Sequence, residues 1–272
     1  MIFTYNDEKA DELMSGHYET WLKRVGEGAD IVFVTDGDDS RKDEDILPLA
    51  SSIKAKSHVY RSGGKNEGKH LRFKVIDAFR YVGETFKNKK FFLKLDTDTF
   101  VVANNLIDYL NDLYHKSYPR PVYFGYAVCP YFVDKCDDLM QCMCYGAGSG
   151  YGFNKAGFNA VNTYFAQHPE ILKEKHNHPR YDRNLLVHED YMMGVAYARA
   201  TNGFPIVHNR LMFPYPFDRY GPGFTATKRT AISYHKVTTK EDFILHDRIF
   251  HHDNGSVRTF DEIDIMRKTG QR

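Results

Sequence analysis

Long apolar runs are missing from this sequence. No stretch of its 272 residues approaches the roughly 20 apolar residues that a membrane-spanning helix needs. Met1 to Tyr5 is too short for a secretory leader, and Asn6 to Asp11 is polar. The chain as written is therefore expected to be soluble and cytoplasmic, though a lumenal fragment trimmed of an anchor would read the same way. Charge of one sign is missing too. Thirty-seven basic residues against 36 acidic ones leave a net charge of +1, which removes any general pull toward nucleic acid or anionic membrane. The glycine-bearing stretch Ser62 to Lys69 lacks the phosphate-cradling P-loop pattern, which weakens an NTPase reading. No Gly-x-Gly-x-x-Gly with a flanking strand and distal acid occurs, so a dinucleotide cofactor is discounted. Cysteine is scarce and confined to Cys129, Cys136, Cys142 and Cys144. No Cys-x-x-Cys spacing is present, which disfavours structural zinc. An oxidising compartment would allow two local disulfides, whereas reduced thiols are expected in a cytosol.

Tryptophan occurs once, but tyrosine and phenylalanine are abundant, so aromatics make up 15% of the chain. Such residues fill cores first and serve as platforms for sugars or bases second. Hydrophobic residues at 42% and charged ones at 27% mark a globular chain, long enough for one large domain or two small ones.

Short apolar runs alternate with helical spacing. Strands are expected at Ile2 to Tyr5, Ile31 to Asp36, His58 to Tyr60, Phe91 to Leu95 and Val122 to Gly125. Helices are expected at Asp7 to Arg24, His70 to Phe86, Asn105 to Tyr114, Lys155 to Phe165 and from Glu189 to about Ala200. This alternation predicts an α/β fold with parallel pairing. His168 to Asn184 reads as a surface insert and Ser256 to Arg272 as a peripheral tail.

The densest chemical signal is Phe91-Phe92-Leu93-Lys94-Leu95-Asp96-Thr97-Asp98. A buried strand runs into two aspartates at its C-terminal end, the edge where open α/β sheets bind ligands. Alternation puts both carboxylates on one side and Thr97 on the other. Two like charges this close call for a compensating cation, and oxygen donors suit Mg²⁺ or Mn²⁺ better than zinc. The plain alternative is a turn with one capping and one solvated aspartate.

Further candidates follow in order. Asp36 ends a strand, placed either to meet a base or ribose or simply to start a turn. Arg72 and Lys74 sit at a helix start, where the dipole disfavours them, so either an anionic ligand lies near or they are solvated. Tyr145 to Phe153 carries Gly146, Gly148, Gly150 and Gly152, letting backbone approach a ligand closely. Glu189-Asp190 opens an apolar helix. One acid suffices as a cap, which leaves the other for general-base work. His235 lies within the expected strand Ile232 to Val237, where a structural role competes with ligation.

Taken in order, Phe33-Val34-Thr35-Asp36, Lys94 to Val101, Tyr123-Phe124-Gly125, Gly146 to Tyr151, Glu189-Asp190 with Gly194, and Ile232 to His235 form a pattern. The set resembles glycosyltransferase family 31, the fringe and core 1 β1,3-galactosyltransferase group, over about residues 30 to 240. The resemblance implies a GT-A fold, a nucleotide-binding half over about residues 1–100 and an acceptor-binding half over about 101–272. It implies a UDP-sugar donor, a glycan or glycoconjugate acceptor, inversion at the anomeric carbon and a β1,3 link. It implies a Mn²⁺-type cation on Asp98 and His235, with Asp96 nearer the ribose or a metal-bound water. Asp190 would be the base and Glu189 its reserve. Asp36 would meet uridine, Arg72 or Lys74 the diphosphate, and Gly148, Ser149 and Gly150 the sugar pocket. Two rivals stand beside it: a retaining glycogenin-like enzyme and a noncatalytic carbohydrate-binding protein of the same fold. The former is expected to carry a His-x-x-Gly-x-x-Lys that His235-Lys236-Val237 does not supply.

Overall fold

The computed structural model describes residues 1–4, 7–47, 50–63, 71–129, 144–174, 188–215 and 231–250. Seven strands form the main sheet: β1 (Ile2–Phe3), β2 (Asp30–Asp36), β3 (Lys56–Ser62), β4 (Phe91–Asp96), β6 (Tyr123–Val128), β7 (Tyr145–Asn154) and β8 (Val207–His208). Their spatial order is β3-β2-β1-β4-β7-β6-β8. A small second sheet has the order β5 (Phe100–Val101), β10 (Ser233–Tyr234) and β9 (Met212–Phe213). The helices are α1 (Glu8–Glu19), α2 (Asp43–Ile46), α3 (Leu71–Thr85), α4 (Ala103–Ser117), α5 (Lys155–Gln167), α6 (Glu189–Ala200) and α7 (Lys240–Phe250).

Local chemistry accounts for most boundaries. Asp7 accepts the Ala10 N–H at 2.6 Å and starts α1. Asn154 does the same for α5 through Gly157 N–H. The expected helix over Asp7 to Arg24 breaks at Thr20 into α1 and a 3₁₀ turn, Trp21–Arg24. The expected strand Ile232 to Val237 is shorter than its apolar pattern suggests. Only Ser233–Tyr234 pair, and the chain turns at Lys236 with φ 62°.

Parallel pairing holds for β1, β2, β3 and β4, and for β6 with β8. It fails in the middle. The glycine-rich stretch is a ten-residue strand, β7, antiparallel to both β4 and β6. Residues on either side of position 100 therefore share one continuous sheet.

Each sheet face carries its own core. One packs α1 and α7 through Leu13, Tyr18, Trp21, Phe100 and Phe243. The other packs α3, α5 and α6 through Phe79, Phe92, Phe158, Met192 and Val195. Phe92 stacks on Phe158 at 3.8 Å and Tyr123 on Phe153 at 4.5 Å. Each such buried aromatic contributes on the order of 2 kcal/mol.

Of the two alternatives left open for the cysteines, the structure has a disulfide at one pair. Cys129, just past β6, and Cys144, just before β7, form a disulfide. Antiparallel pairing of those strands brings Val128 opposite Tyr145, so their neighbours meet. Cys136, Cys142, the tail from Ser256, and most of the insert from His168 to Asn184 lie outside the described residues.

Gly150 adopts φ 93°, and a Cβ there would lie 2.6 Å from Leu95 Cδ2. Gly150→Ala should cost about 2–4 kcal/mol in urea denaturation, combining backbone strain and overpacking. Gly26→Ala, where a Cβ meets nothing within 4 Å, should stay within about 0.5 kcal/mol.

Candidate active site

Strand alternation sets the first part of the site. Lys94 and Asp96 point to the same side of β4, at the C-terminal end of the parallel strands. Lys94 is 3% exposed, yet its ammonium is fully engaged with acids. Nζ donates to Asp96 Oδ1 at 2.6 Å and to Glu189 Oε1 at 2.7 Å. Burial alone would lower the Lys94 pKa, but the two carboxylates outweigh it and hold the group well above its ordinary value. Tyr151 on β7 donates its hydroxyl to the other Glu189 oxygen at 2.8 Å. Both oxygens of Glu189, itself 6% exposed, are thus committed.

The second part comes from the small sheet. Tyr234 of β10 sits opposite Phe100 of β5 in antiparallel register. Continuing that register sets His235 opposite Thr99, one residue from Asp98, and the imidazole reaches the Asp98 carboxylate. His235 Nε2 lies 3.1 Å from Asp98 Oδ1 and 3.8 Å from Asp96 Oδ2. One donor atom from each of Asp96, Asp98 and His235 falls within 4.8 Å of the others. The turn at Lys236 then sends the Val237 N–H to the Asp98 carbonyl at 2.9 Å. A Cβ on Gly148 would lie 2.4 Å from His235 Cε1, so glycine at this point of β7 makes room for the imidazole.

The third part is the mouth of α6. Neither Glu189 nor Asp190 caps the helix from the N-cap position, which His188 holds without a side-chain capping bond. Asp190 Oδ1 accepts the Tyr191 N–H at 2.7 Å. Burial, then the neighbouring Glu189 charge, pushes the Asp190 carboxyl up to about 7.

These groups line one cavity of about 560 Å³ together with Asp7, Lys9, Ala10, Leu13, Leu71, His188 and Thr238. Its carboxylates are Asp7, Asp96, Asp98, Glu189 and Asp190, against the lysines Lys9 and Lys94. The excess of negative charge, with two carboxylates and an imidazole converging, fits a hard or borderline divalent cation.

The other expected site residues are placed differently. Lys74 is fully buried and donates to Thr4 O at 2.7 Å and Asp36 Oδ1 at 3.2 Å. Burial lowers its pKa, with Asp36 opposing the shift. Its ammonium therefore anchors Asp36 at the end of β2. Arg72 stands in the first turn of α3, and neither it nor Asp36 lines the cavity. Of Gly148, Ser149 and Gly150, only Gly148 lines it. Ser149 is buried and donates to Met212 O at 3.2 Å, and Gly150 backs onto Leu95. Sequence reasoning passed over Lys94, Tyr151 and Lys9. Lys94 alone left a signal there: a charged residue inside an apolar strand.

Comparison with known proteins gives a partial likeness. No family model matches the chain. It is 33% identical over 90 residues to the human UDP-GalNAc:beta-1,3-N-acetylgalactosaminyltransferase 1, covering 32% of this chain and 27% of that protein. The mouse (Mus musculus) protein of the same name is 46% identical over 47 residues, covering 17% and 14%. The chain thus spans at most about a quarter of the length of these curated relatives. Among solved structures, the WbbM bifunctional glycosyltransferase aligns with 98% of this chain and 51% of its own, at TM-score 0.50 and 11% identity. Mouse xyloside xylosyltransferase 1 aligns over 86% and 95%, at TM-score 0.47 and 12% identity. The architecture is a mixed α/β, GT-A-type sheet flanked by helices. Among the described residues no helix is long and apolar enough to cross a membrane.

Removing the Lys94 charge leaves Glu189 buried with no cation beside it. Lys94→Met should cost about 3–5 kcal/mol in chemical denaturation. Adding Glu189→Gln to it should recover part of that loss, and strict additivity of the two would contradict the pairing.

Proposed function

We propose that this chain is an inverting, metal-dependent glycosyltransferase that moves a sugar from a UDP-sugar to a hydroxyl of a glycan acceptor, forming a β1,3 link. The observation that carries the reading is the convergence of Asp96, Asp98 and His235 in the same cavity as Asp190. The partial match to transferases whose names specify a UDP-sugar and a β1,3 link supports the donor class and linkage.

The proposed residue roles draw on the geometry where it supports them. Asp98 and His235 would hold Mn²⁺ or Mg²⁺, with Asp96 beside them. When bound, the cation would neutralise charge on the diphosphate as a Lewis acid. Asp190 takes the proton of the acceptor hydroxyl while that oxygen attacks the anomeric carbon. The bond from that carbon to the diphosphate oxygen breaks, and its electron pair leaves with UDP. Asp190 suits the task because its Oδ2 has no hydrogen-bond partner among the described residues and its pKa sits near neutrality. Glu189 is left to position the helix mouth, because Lys94 and Tyr151 occupy both its oxygens.

Asp36, steadied by Lys74, meets the uridine. Arg72 at the start of α3 serves the diphosphate, joined by Lys9 on the cavity wall. Gly148, which admits the His235 imidazole, lines the edge of the donor-sugar pocket, with Ser149 and Gly150 supporting the strand behind it. On this reading residues 1–100 hold the nucleotide and residues 101–272 the acceptor. In a cytoplasmic setting the Cys129–Cys144 bridge would meet reducing thiols, and transfer would have to tolerate its opening.

Asp98→Ala should weaken manganese-dependent UDP binding at least about tenfold by calorimetry, and unchanged affinity would remove Asp98 from the site. Asp190→Asn should keep UDP affinity but lose about 10²–10⁴ of transfer. The product's anomeric centre, read by NMR, should be β from an α-linked donor, and retention would sink the inverting mechanism.

The transfer rate should climb with pH through about 7 as the Asp190 carboxyl loses its proton, then level off. A profile flat from pH 5.5 to 8.5 would rule Asp190 out as the base.

A further inference from the structure

Every carbonyl oxygen of the Asp96-Thr97-Asp98 turn has a partner. Asp96 O accepts the Thr99 N–H at 3.1 Å, and Asp98 O accepts the Val237 N–H at 2.9 Å. The middle one, Thr97 O, is served by a side chain 80 residues away, with His17 Nε2 at 2.7 Å. His17 lies on α1, is fully buried, and has Phe243 of α7 packed on its ring at 4.6 Å.

The proton on that ring can be assigned from its neighbours. Trp21 Nε1 stands 2.8 Å from His17 Nδ1. An indole nitrogen donates and never accepts, so Nδ1 must be the accepting nitrogen. The ring proton then sits on Nε2, aimed at Thr97 O. Burial, which depresses the His17 pKa to about 4, agrees with a neutral ring. The only tryptophan in the chain thus fixes the tautomer of the histidine that holds the middle of the two-aspartate turn.

We propose that the chain Trp21–His17–Thr97 is a positioning device for the cation site. It fixes the peptide between the two carboxylates, Asp96 and Asp98, and couples ligation there to the indole. The inference rests on the Asp96, Asp98 and His235 cluster binding a dication, as in the function proposed above. The physical argument is pre-organisation. A carbonyl left unpaired in this buried turn is unfavourable because it loses its solvation without a replacement donor, and the turn would relieve that cost by rotating. Rotating the Thr97 peptide swings Asp96 and Asp98 apart. A purely structural polar pair would stabilise the fold without altering cation affinity, so affinity is the quantity to read.

The test titrates the whole chain with Mn²⁺ alone, scoring bound metal from the loss of the free-ion electron paramagnetic resonance signal. Tryptophan emission is followed separately with Mg²⁺, which does not quench it. Four proteins are compared: the unaltered chain, His17→Leu, His17→Gln and Trp21→Phe, each checked for a cooperative thermal transition. His17→Leu should bind Mn²⁺ about tenfold or more weakly, with its emission no longer responsive to Mg²⁺. His17→Gln, whose amide can still donate to Thr97 O, should recover most of the affinity. Trp21→Phe keeps the ring but frees its tautomer, and should lose about threefold on the same outer-ligand logic.

A folded His17→Leu with unaltered Mn²⁺ affinity overturns the proposal. If that variant does not fold, Trp21→Phe decides, and unaltered affinity there overturns it equally. Should the unaltered chain bind no Mn²⁺, the glycosyltransferase reading falls and takes this inference with it. Binding by the unaltered chain with undiminished affinity in the variants removes only the positioning role.

Discussion

A lysine ammonium buried between two carboxylates holds this site together. Taking Lys94 out of water costs several kcal/mol, and the structure offsets that cost with Asp96 on one side and Glu189 on the other. The arrangement ties a strand end to a helix mouth almost a hundred residues away in sequence. It also partitions charge. One Asp96 oxygen is committed to Lys94, while the other faces His235 and Asp98. One lysine cannot balance the surrounding acids, so the cavity keeps a net demand for positive charge. Glu189 is held by the same ion, which separates its task from that of Asp190 next to it.

Around that ion pair the fold removes freedom from the two-aspartate turn. β5 and β10 bring His235 alongside, the left-handed turn at Lys236 returns the chain to Asp98, and α1 reaches across with His17. Donors fixed in advance need little reorganisation when charge develops on a ligand, and this is where electrostatic catalysis gains most. The aromatic content serves chiefly this rigidity. Phe92, Phe158, Tyr123, Phe153, Phe243 and Tyr234 are core residues on the two sheet faces rather than platforms in the cavity.

Much of this was legible in the residues. The apolar lead-in to Asp96 read as a strand because a short aromatic run bounded by polar residues has few other folds. Asp98, Asp96, Asp190 and His235 were legible as candidates because their side chains carry chemistry that core packing does not require, and the structure brings all four to one cavity. The orientation of Lys74 was not legible. A lysine in the first turn of a helix looks solvent-facing in sequence, and only the position of β1 and β2 beneath α3 turns it inward to Thr4 and Asp36. Gly148 to Gly150 looked like a ligand-facing run because glycine permits close approach. The approach is real, but at Gly150 it is to the β4 backbone and Leu95, and at Gly148 to His235. The antiparallel insertion of β7 was equally hidden, since the alternation predicted parallel pairing and a run with four glycines carries little strand signal.

The sequence by itself determined the identity of most elements (though not of β7 or α7), the chemistry available at their ends and the order of the motifs, because these depend on local periodicity and side-chain type. Tertiary structure alone decided which groups became partners. Lys94 became the counter-ion of Glu189, His17 the partner of Thr97, and Cys129 was joined to Cys144, each because strand order and crossing helices brought distant residues within bonding range. Hydrogen bonds and ion pairs act over about 3 Å, and no linear pattern encodes distances of that size between segments 15 to 95 residues apart.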